Sequence, residues 1–178
     1  MQEVDLVINA QKGDKKALIE YILKRRDEYY RLAYVYVKNQ EDSLDALQEM
    51  IVIIFENIRK LKNVDSFVPW SKTILVNCCK NILKKKNKVI LVESYQEREF
   101  IENYKYIDQS IDIENALERL NFKQREAIKL KYYLGYDYET IAQITKTPIG
   151  TVKSRISNGL KLLKKVMKVE EVSKNYAK

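Results

Sequence analysis

The segment from Tyr138 to Leu163 constrains the fold more than any other part of the chain, because its pattern predicts two short helices joined by a tight turn. Thr147 and Pro148 are typical of the start of the second helix, since threonine is a good N-cap and proline suits the first helical position. Apolar residues then recur at helical spacing and predict one buried face. These residues are Val152, Ile156, Leu160 and Leu163.

The polar side of this second helix carries hydroxyl, amide and basic side chains. Such a helix offers hydrogen-bond donors and positive charge to the major groove of DNA, while its apolar side stays on the protein. An ordinary helical hairpin with a solvated polar face is the alternative. We favour DNA binding because the capped turn, the proline and the basic outer face coincide. The candidate contacts on this helix are Thr151, Lys153, Ser154, Arg155, Ser157 and Asn158.

Composition favours an all-α fold, because 46% of the 178 residues are hydrophobic and only four are glycine and two proline; this length suits one medium domain or two small helical domains. The formal charge of +8 favours a polyanionic partner. The chain has no histidine, which excludes histidine-based metal sites and Ser-His-Asp triads. Cys78 and Cys79 are adjacent and do not form a disulfide framework. We therefore expect no enzyme activity, no metal and no cofactor.

The charge is distributed unevenly along the chain. Residues 1–90 carry a net charge of +5, residues 91–117 carry −5, and residues 118–178 carry +8. The acidic stretch also lacks a strong amphipathic period, so we interpret it as a link between two basic domains. The predicted boundaries are a domain at 1–90, an acidic linker at 91–110, a domain at 111–170 and a C-terminal tail at 171–178.

No segment has the apolar length of a membrane helix or the apolar core of a signal peptide, so we expect a cytoplasmic protein without membrane insertion. The N-terminal domain is predicted to contain helices at Asp5–Ala10, Asp14–Val37, Asp42–Leu61 and Ser66–Lys88. The second of them has a candidate break at Arg25–Asp27. The predicted helices of the C-terminal domain are Ile111–Leu120, Lys123–Leu134, Tyr138–Ile144 and Ile149–Val169.

The third predicted helix carries acids and exposed aliphatics outside its core stripe. Asp42, Asp45, Glu49 and Glu56 share one face at 100° per residue, and Val52 and Ile53 flank them. This combination suits a basic, partly apolar partner, whereas the alternative is a solvated acidic face. The predicted core stripe is Leu44, Leu47, Ile51, Ile54, Phe55 and Ile58.

The fourth predicted helix carries two stripes. The core stripe is Phe67, Ile74, Cys78 and Ile82, and the second stripe is Trp70, Thr73, Asn77, Lys80 and Lys84. An aromatic ring stacks on an unpaired base, hydroxyls and amides bond base edges, and lysines bind phosphates, so the second stripe suits an unwound DNA strand. A partly buried tryptophan on a frayed basic helix is the alternative.

Together the two domains resemble a bacterial RNA polymerase sigma factor of the extracytoplasmic-function (ECF) type. YRLAYVYVKNQEDSLDALQEMIVIIFENI (Tyr30 to Ile58) resembles sigma region 2, and FVPWSKTILVNCCKNILKKKNK (Phe67 to Lys88) resembles its promoter-reading helix. ALERLNFKQREAIKLKYYLGYDYETIAQITKTPIGTVKSRISNGLKLLKK (Ala116 to Lys165) resembles sigma region 4. In this family a proline usually follows the leucine that opens region 4, and here Asn121 stands in its place, which is itself a good N-cap.

The resemblance implies a role for each of these surfaces. Asp42, Asp45, Gln48 and Glu49 are implied to bind the clamp helices of the polymerase β′ subunit. The implied −10 contacts are Leu61, Lys62, Asn63, Trp70, Thr73, Asn77, Lys80 and Lys84. Lys131 joins the recognition-helix residues Thr151, Lys153, Ser154, Arg155, Ser157 and Asn158 as the implied −35 contacts.

The implied function is a sigma factor that binds core RNA polymerase, including its β flap, and directs initiation at promoters with −10 and −35 elements. Many members of the family are held inactive by an anti-sigma partner, for which this chain gives no direct sign. A stand-alone helix-turn-helix regulator is the main alternative, but residues 1–90 lack the βαβ alternation of a receiver domain. A basic RNA-binding protein is a second alternative, against which the acidic helix and linker argue.

Overall fold

The computed structural model describes residues 2–93 and 109–176, with side chains over 2–86 and 113–167. Every regular element in these ranges is a helix, which confirms the predicted all-α fold. The chain divides into two compact units, one formed mainly by its N-terminal half and one mainly by its C-terminal half. Most of the predicted linker lies outside the described residues, and its described ends are helical.

The described part of the N-terminal unit contains five α-helices. They are α1 (Glu3–Gln11), α2 (Lys15–Lys24), α3 (Arg26–Val37), α4 (Gln40–Asn57) and α5 (Phe67–Glu93). Arg25 lies between α2 and α3 with φ −112° and ψ 17°, so the candidate break near this residue is confirmed.

Side-chain caps fix where two of these helices begin. Asp14 Oδ1 accepts hydrogen bonds from the backbone N–H groups of Lys16 and Ala17, at 2.9 and 3.2 Å, and so caps α2. Gly13 before it has φ +100°, a conformation that only glycine adopts without strain. Asn39 caps α4, because its Oδ1 accepts from an N–H of the first turn.

Helix α5 packs against both α3 and α4 and forms the centre of this unit. Tyr29 on α3 is 1% exposed, and burial raises the pKa of its phenol. The Ser71 hydroxyl donates to the Val68 carbonyl at 2.9 Å, so the Tyr29 hydroxyl donates to Ser71 Oγ, at 2.7 Å. A buried polar pair satisfied in this way fixes the two helices in one register.

A chain of ion pairs runs from α5 to α1 beside this core. Lys72 Nζ lies 2.5 Å from a Glu28 carboxylate oxygen, and only 6% of the Lys72 side chain is exposed. Arg25 pairs with Glu28 at 3.0 Å and with Glu3 at 2.7 Å. Because removal of one partner leaves a buried charge uncompensated, these pairs hold α1, α3 and α5 in a specific arrangement.

The described part of the C-terminal unit contains four α-helices. They are α6 (Gln109–Glu118), α7 (Phe122–Ile128), α8 (Tyr138–Thr145) and α9 (Ile149–Tyr176). Asn121 caps α7 as predicted, since its Oδ1 accepts from the Gln124 N–H at 3.0 Å. The core contains Leu117, Leu120 and Ile128, against which Leu160 and Leu163 pack.

The turn between α8 and α9 forms without a glycine. Lys146 adopts the left-handed conformation, with φ +49°. Its N–H donates to the Gln143 carbonyl at 3.2 Å, and the Thr147 N–H donates to the Ala142 carbonyl at 2.9 Å. These two bonds form a Schellman motif, which satisfies the last carbonyls of α8. Helix α9 then begins at Ile149, as predicted.

Four predicted helix ends differ from the structure by four or more residues. The predicted helix Asp42–Leu61 ends as α4 at Asn57 and is followed by a short 3₁₀ segment, Ile58–Lys60. The predicted helix Lys123–Leu134 is α7 followed by a π-helical segment, Lys129–Tyr133. Helix α5 continues beyond Lys88 to Glu93, and α9 continues to Tyr176, so residues 171–176 of the predicted tail are helical. Neither extension contains a glycine or proline to stop it.

Candidate functional site

The solvent-facing side of α4 combines acidic with apolar side chains, as the sequence predicted. Asp45 and Gln48 are exposed, and Glu49 beside them is half-buried. Leu44 and Val52, on the same helix, are 44% and 57% exposed. An exposed aliphatic residue is ordinary when isolated, but next to carboxylates it forms a surface whose chemistry suits a basic amphipathic helix. We name Leu44, Asp45, Gln48, Glu49 and Val52 the α4 face.

Asp42 lies in a different environment from the other three predicted docking residues. It is 8% exposed, and its Oδ2 lies 2.6 Å from Nζ of Lys86 on α5. Its backbone N–H donates to Asn39 Oδ1 at 3.0 Å. The carboxylate therefore joins the start of α4 to the lysine run of α5 and does not belong to the α4 face.

The buried side of α4 is rotated relative to the prediction. Ala46 and Met50 are completely buried although the prediction omitted them, whereas Leu44 is exposed. Because α4 packs against both α3 and α5, its buried sector is centred between two neighbours, and the small Ala46 lets a helix approach closely. Of the other predicted core residues, Leu47, Ile54 and Ile58 are buried and Ile51 and Phe55 are half-buried.

The second stripe of α5 retains solvent exposure along its length. Thr73 Oγ1 donates to the Pro69 carbonyl at 2.8 Å, which fixes the orientation of its hydroxyl. Lys80 Nζ lies 5.7 Å from the ring centroid of Tyr36, so an α3 aromatic residue supports this lysine. The half-buried members are Trp70, Thr73 and Lys80, and the exposed members are Asn77 and Lys84.

The buried side of α5 is broader than predicted, because α3 and α4 cover it from two directions. Phe67 and Cys78 are buried as expected, and Ile74 and Ile82 are half-buried. Three apolar residues outside the predicted stripe are completely buried: Leu75, Val76 and Cys79.

The two adjacent cysteines have weakly reactive thiols. Burial raises the pKa of the Cys78 thiol to about 11 and that of Cys79 to about 12, so both are protonated at neutral pH. Among the residues that the structure describes, no group of three His, Cys, Asp or Glu side chains is placed to hold a metal ion. No described helix has the length and apolar character needed to cross a membrane.

An open cavity of about 430 Å³ lies where the loop after α4 meets the first turns of α5. Leu61, Lys62 and Trp70, three of the predicted −10 contacts, line it. Gln11 on α1 donates through Nε2 to the Leu61 carbonyl at 2.8 Å, and Asn63 Oδ1 accepts from the Asp65 N–H at 2.9 Å, so both ends of the loop are held. The cavity is also lined by Ile53, Asn57, Lys60 and Ile74.

This cavity suits a flat aromatic ring with an attached anion. The Trp70 indole and the Leu61 side chain are apolar surfaces, and Lys60 and Lys62 supply positive charge. Bases stack on aromatic side chains and phosphates bind lysines, so the arrangement fits one unpaired nucleotide. Sequence reasoning missed Gln11, because its contact with Leu61 spans 50 residues.

Val152 and Ile156 on α9 are buried as predicted, and the polar side of this helix is exposed. Arg155 is half-buried, and its Nη1 donates to Thr147 Oγ1 at 3.1 Å, so this guanidinium supports the turn before α9. The other predicted contacts on this helix are exposed: Thr151, Lys153, Ser154, Ser157 and Asn158.

Tyr138, the first residue of α8, lies between two of the predicted DNA-binding lysines. Lys131 Nζ is 4.7 Å from the centroid of its ring, and Lys153 Nζ is 5.5 Å from the same centroid. Sequence reasoning placed Tyr138 only at a helix start. The π-helical segment that carries Lys131 gives no recognisable sequence signal.

Comparisons with known proteins assign both units. The family model for Sigma-70 region 2 matches residues 22–89, and that for Sigma-70, region 4 matches residues 110–163. The chain is 32% identical to RNA polymerase sigma factor SigV of Bacillus subtilis, over 89% of this chain and 96% of the relative. It is 30% identical to the ECF RNA polymerase sigma-E factor of Haemophilus influenzae, over 85% of this chain and 87% of the relative.

A solved structure shares the fold along most of the chain. The sigma factor RpoE of Bartonella quintana, crystallised with the anti-sigma factor NepR, superposes with a TM-score of 0.65 at 25% identity, over 86% of this chain and 98% of that chain. Both regions in this order favour a promoter-directing alternative sigma factor over a stand-alone helix-turn-helix regulator. The chain therefore belongs to the extracytoplasmic-function family of RNA polymerase sigma factors.

Proposed function

We propose that this sigma factor binds the β′ clamp helices of core RNA polymerase through the α4 face. Asp45 and Glu49 supply negative charge for a basic partner helix, and Gln48 supplies hydrogen bonds between them. Leu44 and Val52 supply apolar area that is exposed in the free chain and buried by the partner. The single observation that supports this role is the exposure of both aliphatics beside the carboxylates.

Asp42 acts within the chain in this proposal. Its ion pair with Lys86 joins the helix that binds polymerase to the helix that reads DNA. The pair links the start of α4 to the lysine run of α5. The direct polymerase contacts are then Asp45, Gln48 and Glu49.

The −10 element is bound as an unpaired strand along the second stripe of α5. Trp70 stacks on a base, worth about 1–3 kcal/mol, which offsets the few kcal/mol needed to extract a base from the duplex. The cavity beside Leu61 receives the extracted base, and Lys62 and Asn63 contact its backbone. Along the helix, Thr73 and Asn77 bond base edges, and Lys80 and Lys84 bind phosphates.

The −35 element is bound as duplex by α9. Lys153, Ser154 and the exposed polar residues around them enter the major groove, and Lys131 contacts the backbone beside it. Arg155 stabilises the turn through Thr147. Phe122, which is 49% exposed on the C-terminal unit, provides apolar area for the β flap.

The protein performs no chemistry of its own in this proposal; it works by binding. Region 4 holds the promoter duplex while region 2 stabilises the melted strand. It acts in the cytoplasm, where polymerase and promoters are found. An anti-sigma factor, such as the one bound to the Bartonella RpoE protein, is a candidate partner that blocks the same surfaces.

Charge reversal on the α4 face tests the docking assignment. The variant carries Asp45→Lys and Glu49→Lys, and its matched control carries Glu20→Lys and Asp27→Lys, which reverse two exposed acids on α2 and α3. Affinity for core polymerase is measured by fluorescence anisotropy of a dye-labelled chain, and folding is checked by circular dichroism.

We expect the α4 variant to lose core binding and promoter-specific transcription, while the control retains both. The reason is that charges in an interface act on a partner surface, whereas reversed charges elsewhere change only the overall field. Equal affinities for the two variants contradict the docking assignment.

A further inference from the structure

Two lysines from different elements share the ring of Tyr138. Lys131 comes from the π-helical segment and Lys153 from α9, and their Nζ atoms lie 4.7 and 5.5 Å from the ring centroid. Both distances are within the range of a cation–π interaction. One aromatic side chain at the start of α8 thus contacts two cations.

The ring offsets a repulsion that the two ammonium groups otherwise experience. Both lie near one centroid, so they are within roughly one Debye length of each other at physiological salt, and their mutual repulsion is only partly screened. The negative face of a tyrosine ring attracts each of them. The ring therefore keeps the two flexible side chains close together before any DNA is present.

The π-helical segment contributes to this geometry. In a π turn the chain advances by more residues per turn than in an α-helix, so Lys131 points in a different direction from the one that a continuous α7 gives it. Lys131 is half-buried, Lys153 is exposed, and Tyr138 is half-buried between them. Lys153 also belongs to the polar side of α9, so the pair of ammonium groups adjoins that surface.

We infer that Tyr138 is a positioning residue for −35 recognition: its ring holds Lys131 and Lys153 as a pair of cations that binds the phosphates beside the major groove. This inference rests on the proposed −35 role of these two lysines. Preorganised cations lose less side-chain entropy on binding than free ones, so the ring contributes to promoter affinity without contacting the DNA. The phenol hydroxyl has no part in it.

Substitutions at Tyr138 separate the ring from the hydroxyl. Tyr138→Phe keeps the ring face, and Tyr138→Leu removes it. Pentafluorophenylalanine at position 138 keeps the shape of phenylalanine but reverses the charge of the ring face, so it remains informative if the leucine variant folds poorly. Tyr132→Leu is the matched control, because Tyr132 lies in the same π-helical segment and is 58% exposed.

The measurement is the affinity of the reconstituted holoenzyme for a promoter fragment selected by the wild-type holoenzyme, between about 50 and 200 mM salt. We expect the phenylalanine and control variants to match the wild type. The leucine and fluorinated variants lose about fivefold to tenfold in affinity. The slope of log affinity against log salt becomes shallower by up to about 1.8, which corresponds to two phosphate contacts.

A double substitution, Lys131→Met with Lys153→Met, tests the −35 role of the two lysines separately from the positioning role of Tyr138. If it leaves −35 binding and the salt slope unchanged, the proposed role of the lysines is wrong. If it weakens binding while the fluorinated ring does not, only the inference about Tyr138 is overturned. If the inference is correct, Tyr138→Leu has no further effect once both lysines are replaced, because the ring acts only through them.

Discussion

Replacement of Gly159 by alanine tests how closely the recognition helix packs on α7. A Cβ atom at Gly159 lies 2.7 Å from Cδ1 of Ile128 and 3.3 Å from Cβ of Gln124. Carbon atoms in contact are normally about 3.5–4.0 Å apart, so the added methyl group displaces its neighbours. Ile128 is 4% exposed and packs in the core with Leu117 and Leu120, which leaves its side chain little space to move.

Two opposing effects set the magnitude. Overpacking costs about 1–3 kcal/mol, and alanine in a helix gains about 1 kcal/mol over glycine, so we expect a net destabilisation of about 1 kcal/mol. Gly150 is the matched control, because a Cβ there has no neighbour within 4 Å. Gly150→Ala should be neutral or stabilising by up to about 1 kcal/mol.

Hydrogen exchange localises the effect, and urea unfolding measures it. In Gly159→Ala the amides of α7 and α9 should exchange about fivefold faster, with α4 as the unchanged reference. Ile128→Val removes the clashing Cδ1, and alone it lowers the free energy of unfolding by about 0.5–1.5 kcal/mol. Combined with Gly159→Ala, it should give a double variant about 1 kcal/mol more stable than the sum of the two single effects predicts. If the destabilisations caused by Gly159→Ala and Ile128→Val simply add in the double variant, Gly159 is not closely packed. Equal stabilities of Gly150→Ala and Gly159→Ala would lead to the same conclusion.

Two further predictions concern buried groups of the N-terminal unit. Burial raises the pKa of the Glu28 carboxyl, but the hydrogen bond and charge of Lys72 and the charge of Arg25 lower it more, so the net pKa is lowered. The ionised carboxylate therefore stabilises the fold above the ordinary pKa of 4.5, and this stabilisation is lost as the pH falls through the lowered pKa. Glu28→Gln should cost about 3 kcal/mol at pH 7 and much less at pH 3, as measured by urea unfolding; an equal cost at both pH values contradicts the ion pair. Since burial raises the pKa of Cys78 to about 11 and of Cys79 to about 12, a thiol reagent at pH 8 should label them only after unfolding, and rapid labelling of the native chain contradicts their burial.

Local features of the sequence were predictable because local chemistry causes them. The break at Arg25, the cap at Asn121 and the buried Val152 and Ile156 depend on residues within a few positions of one another. Helix propensity, side-chain caps and the 3.6-residue period act at that range. The exposed positions of Asp45 and Val52 on α4 were predicted for the same reason, whereas Leu44 was expected in the core and is exposed.

Features that depend on two neighbouring helices were predicted less well. The period of α4 identifies an apolar stripe, but contact with both α3 and α5 rotates the buried side towards Ala46 and Met50. The π-helical segment Lys129–Tyr133 was predicted as ordinary α-helix. No local pattern marks such a segment, because it forms where packing favours a wider turn.

By itself the sequence determined that the chain is helical, that its two halves resemble sigma regions 2 and 4, and that candidate DNA-binding residues lie on α5 and α9. Only the tertiary structure decided which charged residues face solvent and which pair within the chain. Asp42 meets Lys86 across 44 residues, and Tyr138 meets lysines from two other elements. Such contacts depend on how helices cross, and crossing is set by the packing of whole faces rather than by neighbours in sequence.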